Sequence, residues 1–264
     1  MIELQEVTFA YPHRPPVFQR FSWRVGAGET WAVLGPSGCG KSTLLLLLAG
    51  LEQPSAGTLV IDGERLARPR PRTGLILQEY GLLPWATIRD NAALGLQIRR
   101  FYGPDGRHAP PGSRLDRRAV EARIEPWLDR LGIAEIADAY PGGVSGGQRQ
   151  RAAVARALVM EPDLLLMDEP FSALDAPTRE RLQVLTLDLC AKAGVTVMLV
   201  THNIEEAAFV GQQVLILDHP PNRMPRALDN PHPADDRYRE APDYQAACAQ
   251  LRSALHAMDP GTDL

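Results

Sequence analysis

The chain has 264 residues, 45% of them hydrophobic, and a formal net charge of −4. That length suits one large domain or two small ones around a substantial core, and the mild acidity lacks the basic excess expected of a nucleic-acid-binding face. Its three cysteines, Cys39, Cys190 and Cys248, are widely spaced and form no CxxC pair, which argues against a metal site or a disulfide framework and fits a reducing compartment.

The N-terminal stretch MIELQEVTFAYPHR mixes charged with apolar residues and contains no continuous apolar run, so it does not read as a secretory signal. No apolar run in the chain approaches the roughly 20 residues that span a bilayer. Any membrane role is expected to come through a partner. Residues 2–9 and 18–25 alternate apolar and polar side chains, predicting half-buried strands of a small sheet. Between them lies YPHRPP, whose Tyr11 either caps the sheet core or stacks on a purine ring.

The apolar run TWAVL leads into GPSGCGKST and then LLLLLAGL, which reads as strand, glycine-rich turn and buried helix over about 41–50. This is the context of a phosphate-binding loop. Gly35, Gly38 and Gly40 free the backbone to curl around an anion, and the new helix adds unpaired amides and its positive dipole end. Within the loop Pro36, Ser37, Cys39 and Thr43 complete the nucleotide-binding set. Lys41 supplies a point charge for the β- and γ-phosphates, and the Ser42 hydroxyl is placed to ligate Mg²⁺.

AGTLVIDG predicts a further strand and turn, and TGLILQE a buried strand that ends in Gln78 and Glu79. The run YGLLPW is unusually apolar for a surface loop, so its leucines are expected either in a core or under a partner. TIRDNAALGLQI has helical periodicity that places Ile88, Ala92, Leu94 and Leu96 on one face. RRFYGPDGRHAPPGSRLDRR, residues 99–118, reads as a solvated basic loop, or as a docking surface for an acidic or lipid-proximal partner. A helix over Arg117 to Leu131 follows, then the turn VSGGQ. Here Ser145, Gly146, Gly147 and Gln148 open an amphipathic helix and offer a second anion site.

DLLLMDEP predicts a central strand buried on both faces, with Asp168 and Glu169 at its carboxyl end, where open α/β sheets bind ligands. Beside a phosphate loop, such acids suit a carboxylate partner for Mg²⁺ and a base for hydrolysis. The chain continues with the SALD turn, a helix, the strand VTVMLV ending near His202, another helix, and VLILD as the last clear strand. Beyond Pro220 it is rich in Pro, Asp and Asn, with a closing helix expected at about Asp243 to His256.

In order, Tyr11, the phosphate loop, Gln78, VSGGQ, LLLMDE, SALD and His202 resemble the ATP-binding-cassette ATPases from residue 1 to about 218, with a short tail at 219–264. The resemblance implies an α/β fold: a RecA-like P-loop core, an N-terminal antiparallel β subdomain and a helical subdomain inserted at about 84–160. It implies ATP and Mg²⁺ bound between two head-to-tail copies of the chain. Lys41, Ser42, Gln78, Asp168, Glu169 and His202 would come from one copy, and Ser145, Gly146 and Gly147 from the other. By the same resemblance Glu169 polarises the attacking water, His202 contacts the γ-phosphate, Gln78 senses Mg²⁺ or γ-phosphate, Asp168 holds Mg²⁺ mainly through water, and Asp175 couples the two sites. Two departures stand out: Val144 replaces the usual leucine at the start of the signature, and Asn203 replaces the usual aspartate after the histidine.

A single cassette of this length looks like the ATPase subunit of a bacterial importer, at the cytoplasmic face of the cell membrane, with separate permease subunits and a solute-binding protein. LLPWATIRDNAALGL is similar to a segment of the nitrate, sulfonate and taurine importer group, and HPPNRM to a degraded form of that group's tail. A soluble cassette ATPase and an efflux cassette are the competing readings.

Overall fold

A computed structural model describes residues 1–99, 117–230 and 236–258. In chain order it has β1 (Ile2–Phe9), β2 (Phe18–Val25), β3 (Thr30–Leu34), α1 (Lys41–Ala49), β4 (Ala56–Ile61) and β5 (Glu64–Arg65). Next come β6 (Thr73–Ile76), α2 (Ile88–Arg99), α3 (Arg117–Arg130), α4 (Gly146–Leu158), β7 (Leu164–Asp168) and α5 (Ala176–Lys192). The chain ends with β8 (Thr196–Val200), α6 (Ile204–Val210), β9 (Gln213–Ile216), β10 (Arg226–Asp229) and α7 (Pro242–His256). Two compact units form: Met1–Arg70 with Leu166–Glu169 and Leu187–Leu264, and Pro71–Leu165 with Pro170–Thr186.

The first unit holds two sheets. In the antiparallel sheet, ordered β2-β1-β4-β5, Ile2 pairs with Val25 and Ile61, and Leu4 with Trp23 and Leu59. Ile2, Leu4, Val7 and Phe9 are buried, so the alternation slips by one residue at Gln5–Glu6. The register shifts there and Glu6 has φ 49°, which marks a bulge that returns Val7 to the core face. The second sheet runs β10-β9-β3-β8-β7 in this unit. β3 is parallel to both β8 and β9, and its aliphatic run is buried on both faces. α1 is apolar nearly all round and ends at Gly50, whose φ of 73° lets its amide reach Leu47 O while the Leu51 amide reaches Leu46 O.

β10 was not anticipated. It pairs antiparallel with β9 through Arg226–Ile216 and Leu228–Val214, but its side chains are mostly exposed. An edge strand without a buried face carries no period-two signal.

The second unit packs α2, α3 and α4 together, with β6 beside the start of β7 through the Asp163 amide and Arg72 O at 3.0 Å. α2 buries Ile88, Asn91, Ala92, Ala93 and Leu96, whereas Leu94, expected on that face, is only half-buried. Two residues from both Ala92 and Leu96, Leu94 is turned to the opposite side of the helix. The buried Asn91 side chain is a bracket for the preceding turn. Its Oδ1 accepts from the Leu83 amide at 2.7 Å, and its Nδ2 donates to Leu83, Ala86 and Thr87 carbonyls. Gly95 allows close helix contact, since a Cβ there would lie 2.5 Å from Met160 Sδ. The basic loop at 99–118 falls almost wholly outside the described residues.

Candidate nucleotide site

β3 delivers the chain into the loop at Gly35 and α1 begins at Lys41, so the glycine-rich turn spans strand and helix as expected. Gly38 and Gly40 have φ of 77° and 108°, and a Cβ on Gly40 would sit 2.5 Å from Val17. A side chain at either position would be strained. The Lys41 ammonium is folded against the loop and donates to Gly35 O at 2.8 Å and Pro36 O at 2.9 Å. Those backbone oxygens hold the cation beside the loop, close to where an anion would replace them as its partner. Cys39 is fully buried, and its thiol points inward toward Lys41 Nζ at 3.9 Å. Burial pushes that thiol up despite the nearby lysine charge. Only the backbone of Cys39 is therefore available to an anion. The Thr43 side chain is also turned in, with its hydroxyl 3.2 Å from Tyr11 Oη.

Tyr11 stands edge-on to Phe9 at 5.0 Å and, with the phosphate loop, Arg14 and Glu169, lines a cavity of about 440 Å³. That is room for a nucleotide-sized ligand. The ring packs on the small sheet through Phe9 and also borders the cavity.

At the end of β7, Asp168 is half-buried, and burial raises its carboxyl above the usual range. The Ser42 hydroxyl bond opposes that shift, the Glu169 charge adds to it, and Lys41 opposes it. Glu169 takes φ 44° with its amide on Val200 O at 2.9 Å, a non-glycine residue in the left-handed region. Its Oε1 is 2.9 Å from Nδ1 of His202, which follows β8. The first unit thus brings together Tyr11, the phosphate loop, Asp168, Glu169 and His202.

No group of three or more His, Cys, Asp or Glu side chains able to hold a metal occurs among the described residues. Ser42 and Asp168 nevertheless fit Mg²⁺, which keeps several waters and takes one or two protein oxygens together with substrate phosphates.

Gln78 lies in the second unit, exposed, just beyond β6. The signature turn is also there. Ser145 caps α4 in a reciprocal box: the Gln148 amide donates to Ser145 Oγ at 3.3 Å, and the Ser145 amide to Gln148 Oε1 at 2.9 Å. The Gln148 side chain is thereby engaged in the cap. Gly147 must lack a Cβ, which would meet Thr178 Cγ2 at 2.8 Å. Val144 is buried, as a packing position, and its carbonyl accepts from Arg149 at 2.8 Å. Asp175 is fully exposed, and the Thr178 side-chain hydrogen bond holds its carboxyl below the usual range. Asn203 supplies the cap of α6, its Oδ1 accepting from the Glu206 amide at 2.7 Å, a task asparagine and aspartate share.

Two residues escaped the sequence reading. Arg14 borders the cavity from the YPHRPP turn. Asn222, 4% exposed, donates to Cys39 O at 2.8 Å and Val17 O at 3.3 Å while accepting from the Asp218 amide at 2.9 Å. It ties the phosphate loop to β2 and the end of the second sheet. No spacing rule points to it, because the Val17 and Cys39 carbonyls that it binds are distant in sequence.

Residues 18–172 match the family model described as ABC transporter. The chain is similar to the taurine import ATP-binding protein TauB of Pseudomonas aeruginosa, with 43% identity over 81% of this chain and 76% of that protein. It is similar to the aliphatic sulfonates import ATP-binding protein SsuB of Bacillus cereus, with 36% identity over 82% and 80%. Among solved structures it resembles the dimeric post-hydrolysis state of the ATP-binding cassette MJ0796 bound to ADP and Pi, with a TM-score of 0.73, 27% identity, and coverage of 88% of this chain and 100% of that one.

Proposed function

The chain belongs to the ABC transporter family, and from that premise we propose that it powers import of a small solute, nitrate, a sulfonate or taurine, through a separate membrane permease. It is an ATPase, and it uses ATP with Mg²⁺. The observation that carries the catalytic reading is the assembly of Lys41, Ser42, Asp168, Glu169 and His202 in one unit beside a nucleotide-sized cavity. The similarity to taurine and sulfonate import proteins supports the solute class.

In this reading the loop amides and Lys41 bind the β- and γ-phosphates, and Tyr11 stacks on the base. Ser42 and Asp168 would hold Mg²⁺, which would supply charge neutralisation of the phosphates. Glu169 takes the proton of the attacking water. His202 donates to Glu169 from Nδ1 and, in the doubly protonated form, to the γ-phosphate from Nε2. Ser145, Gly146 and Gly147 act in a second copy, where the α4 amides meet the γ-phosphate bound by the first. Resemblance to a dimeric cassette supports that arrangement. The helical insertion at 84–160, with the apolar turn before it, is assigned to the permease, and a solute-binding protein completes the system. With no described helix long and apolar enough to cross a membrane, attachment at the cytoplasmic face would be peripheral.

The direct test is taurine or alkanesulfonate uptake by vesicles carrying the chain and its permease. Uptake should require ATP and vanish with Lys41→Ala. Substrate movement in the opposite direction, or ATP turnover indifferent to permease and solute, would reject the importer reading.

A further inference from the structure

The family match ends at residue 172, yet the best-connected part of the catalytic histidine's surroundings lies later. His202 is separated from α6, a helix of only seven residues, by the cap residue Asn203 alone. Such a short helix has little stability of its own and must be held from outside.

Both of its ends are held by the C-terminal tail. At the first turn the Tyr244 hydroxyl donates to Glu205 O at 3.1 Å, and Arg252 Nη2 lies 3.1 Å from Glu205 Oε1. At the last turn Asn230 Nδ2 donates to both Ala208 O and Gly211 O at 2.7 Å, and Asn230 Oδ1 accepts from the Tyr238 hydroxyl at 2.8 Å. Asn230, Tyr238 and Tyr244 are all under 10% exposed, and the two tyrosine rings meet edge-on at 5.5 Å. The Arg239 guanidinium covers the Phe209 ring from α6 at 3.3 Å. Buried, satisfied hydrogen bonds of this kind fix a geometry more firmly than the exposed Arg252–Glu205 pair does. The other face of His202 opens on a cavity of about 330 Å³, walled on its far side by Arg252, Leu255 and His256 of α7.

We propose that the tail is a two-point clamp on α6 that positions His202 against Glu169, with Tyr244 acting at the front and Asn230, held by Tyr238, at the back. These are positioning residues; His202 makes the contact with Glu169. The inference rests on the role given to His202 above. A misplacement of about an ångström at a reacting group is enough to slow chemistry a hundredfold, whereas nucleotide binding depends on the phosphate loop and Tyr11, which the tail does not hold through α6.

The test uses the purified full-length chain, comparing ATP affinity, KM and kcat for the parent, Tyr244→Phe, Tyr238→Phe and Asn230→Ala, each also in a His202→Ala background. Gln245→Ala, on the exposed face of α7, is the control and should match the parent. The clamp variants should lower kcat about tenfold with ATP affinity unchanged, and should add nothing once His202 is gone. An equal fractional loss in both backgrounds, or a lowered melting temperature with unchanged kcat, would make the tail a stabilising element only and overturn the clamp. If Asn230→Ala does not fold, the two hydroxyl deletions decide the matter. Parental turnover by His202→Ala would reject the assigned role of the histidine, and the clamp with it.

Discussion

Nδ1 of His202 sits 2.9 Å from Oε1 of Glu169, so the residue that follows β8 and the one that follows β7 share a hydrogen bond at the carboxyl ends of neighbouring strands. Neither position is close to the other in sequence. The contact exists because parallel strands align their carboxyl ends, and it gives Glu169 a partner that orients its carboxylate.

Glu169→Gln should retain ATP binding and lose about a hundredfold or more in turnover, since an amide keeps the shape and the hydrogen bond but cannot take a proton. It should also accumulate as an ATP-dependent dimer, measured by size-exclusion chromatography with ATP. Near-parental hydrolysis would remove Glu169 from the role of base.

Tyr11→Ala should raise KM for ATP more than it lowers kcat, because stacking on a base contributes roughly 1–3 kcal/mol to ground and transition states alike. Tyr11→Phe should keep most of the affinity, as it loses only the contact with Thr43. The same loss measured with a base-free triphosphate would make the ring a cover for the small sheet alone.

Cys39→Ala should leave KM for ATP near the parental value while costing about 1 kcal/mol of stability, because the thiol fills space under the loop and does not face the anion. Equilibrium unfolding and steady-state kinetics on one preparation separate the two effects. A large rise in KM would mean that the side chain itself contributes to binding.

Trp85 is 74% exposed, whereas the Leu83 backbone is bracketed by Asn91. Trp85→Asp should therefore abolish co-purification with the permease and leave ATP binding intact, because an unpaired charge in a desolvated interface is costly. Leu83→Asp should instead lower the melting temperature. Unchanged permease association of the Trp85 variant would move the docking surface elsewhere.

The sequence by itself determined the elements and the chemistry of the loop. A short aliphatic run that ends in paired acids, such as Leu164–Met167, reads as a central strand, and a lysine and serine behind three glycines between strand and helix read as a phosphate-binding loop. Periodicity reports which face is buried, not what buries it. Leu94 is apolar but stands two residues from Ala92 and Leu96, which turns it off their face, while the polar Asn91 is buried to bracket a turn; β10, with no buried face, leaves no signal at all. Only the tertiary structure decided that Cys39 points inward, that Asn222 pins the loop, and that Asn230 and Tyr244 grip the helix after His202. The Asn222, Asn230 and Tyr244 contacts join side chains to atoms remote in sequence, all of them backbone carbonyls that any residue would present. Such a bond leaves no pattern in the chain, because its geometry comes into being only when the strands have aligned.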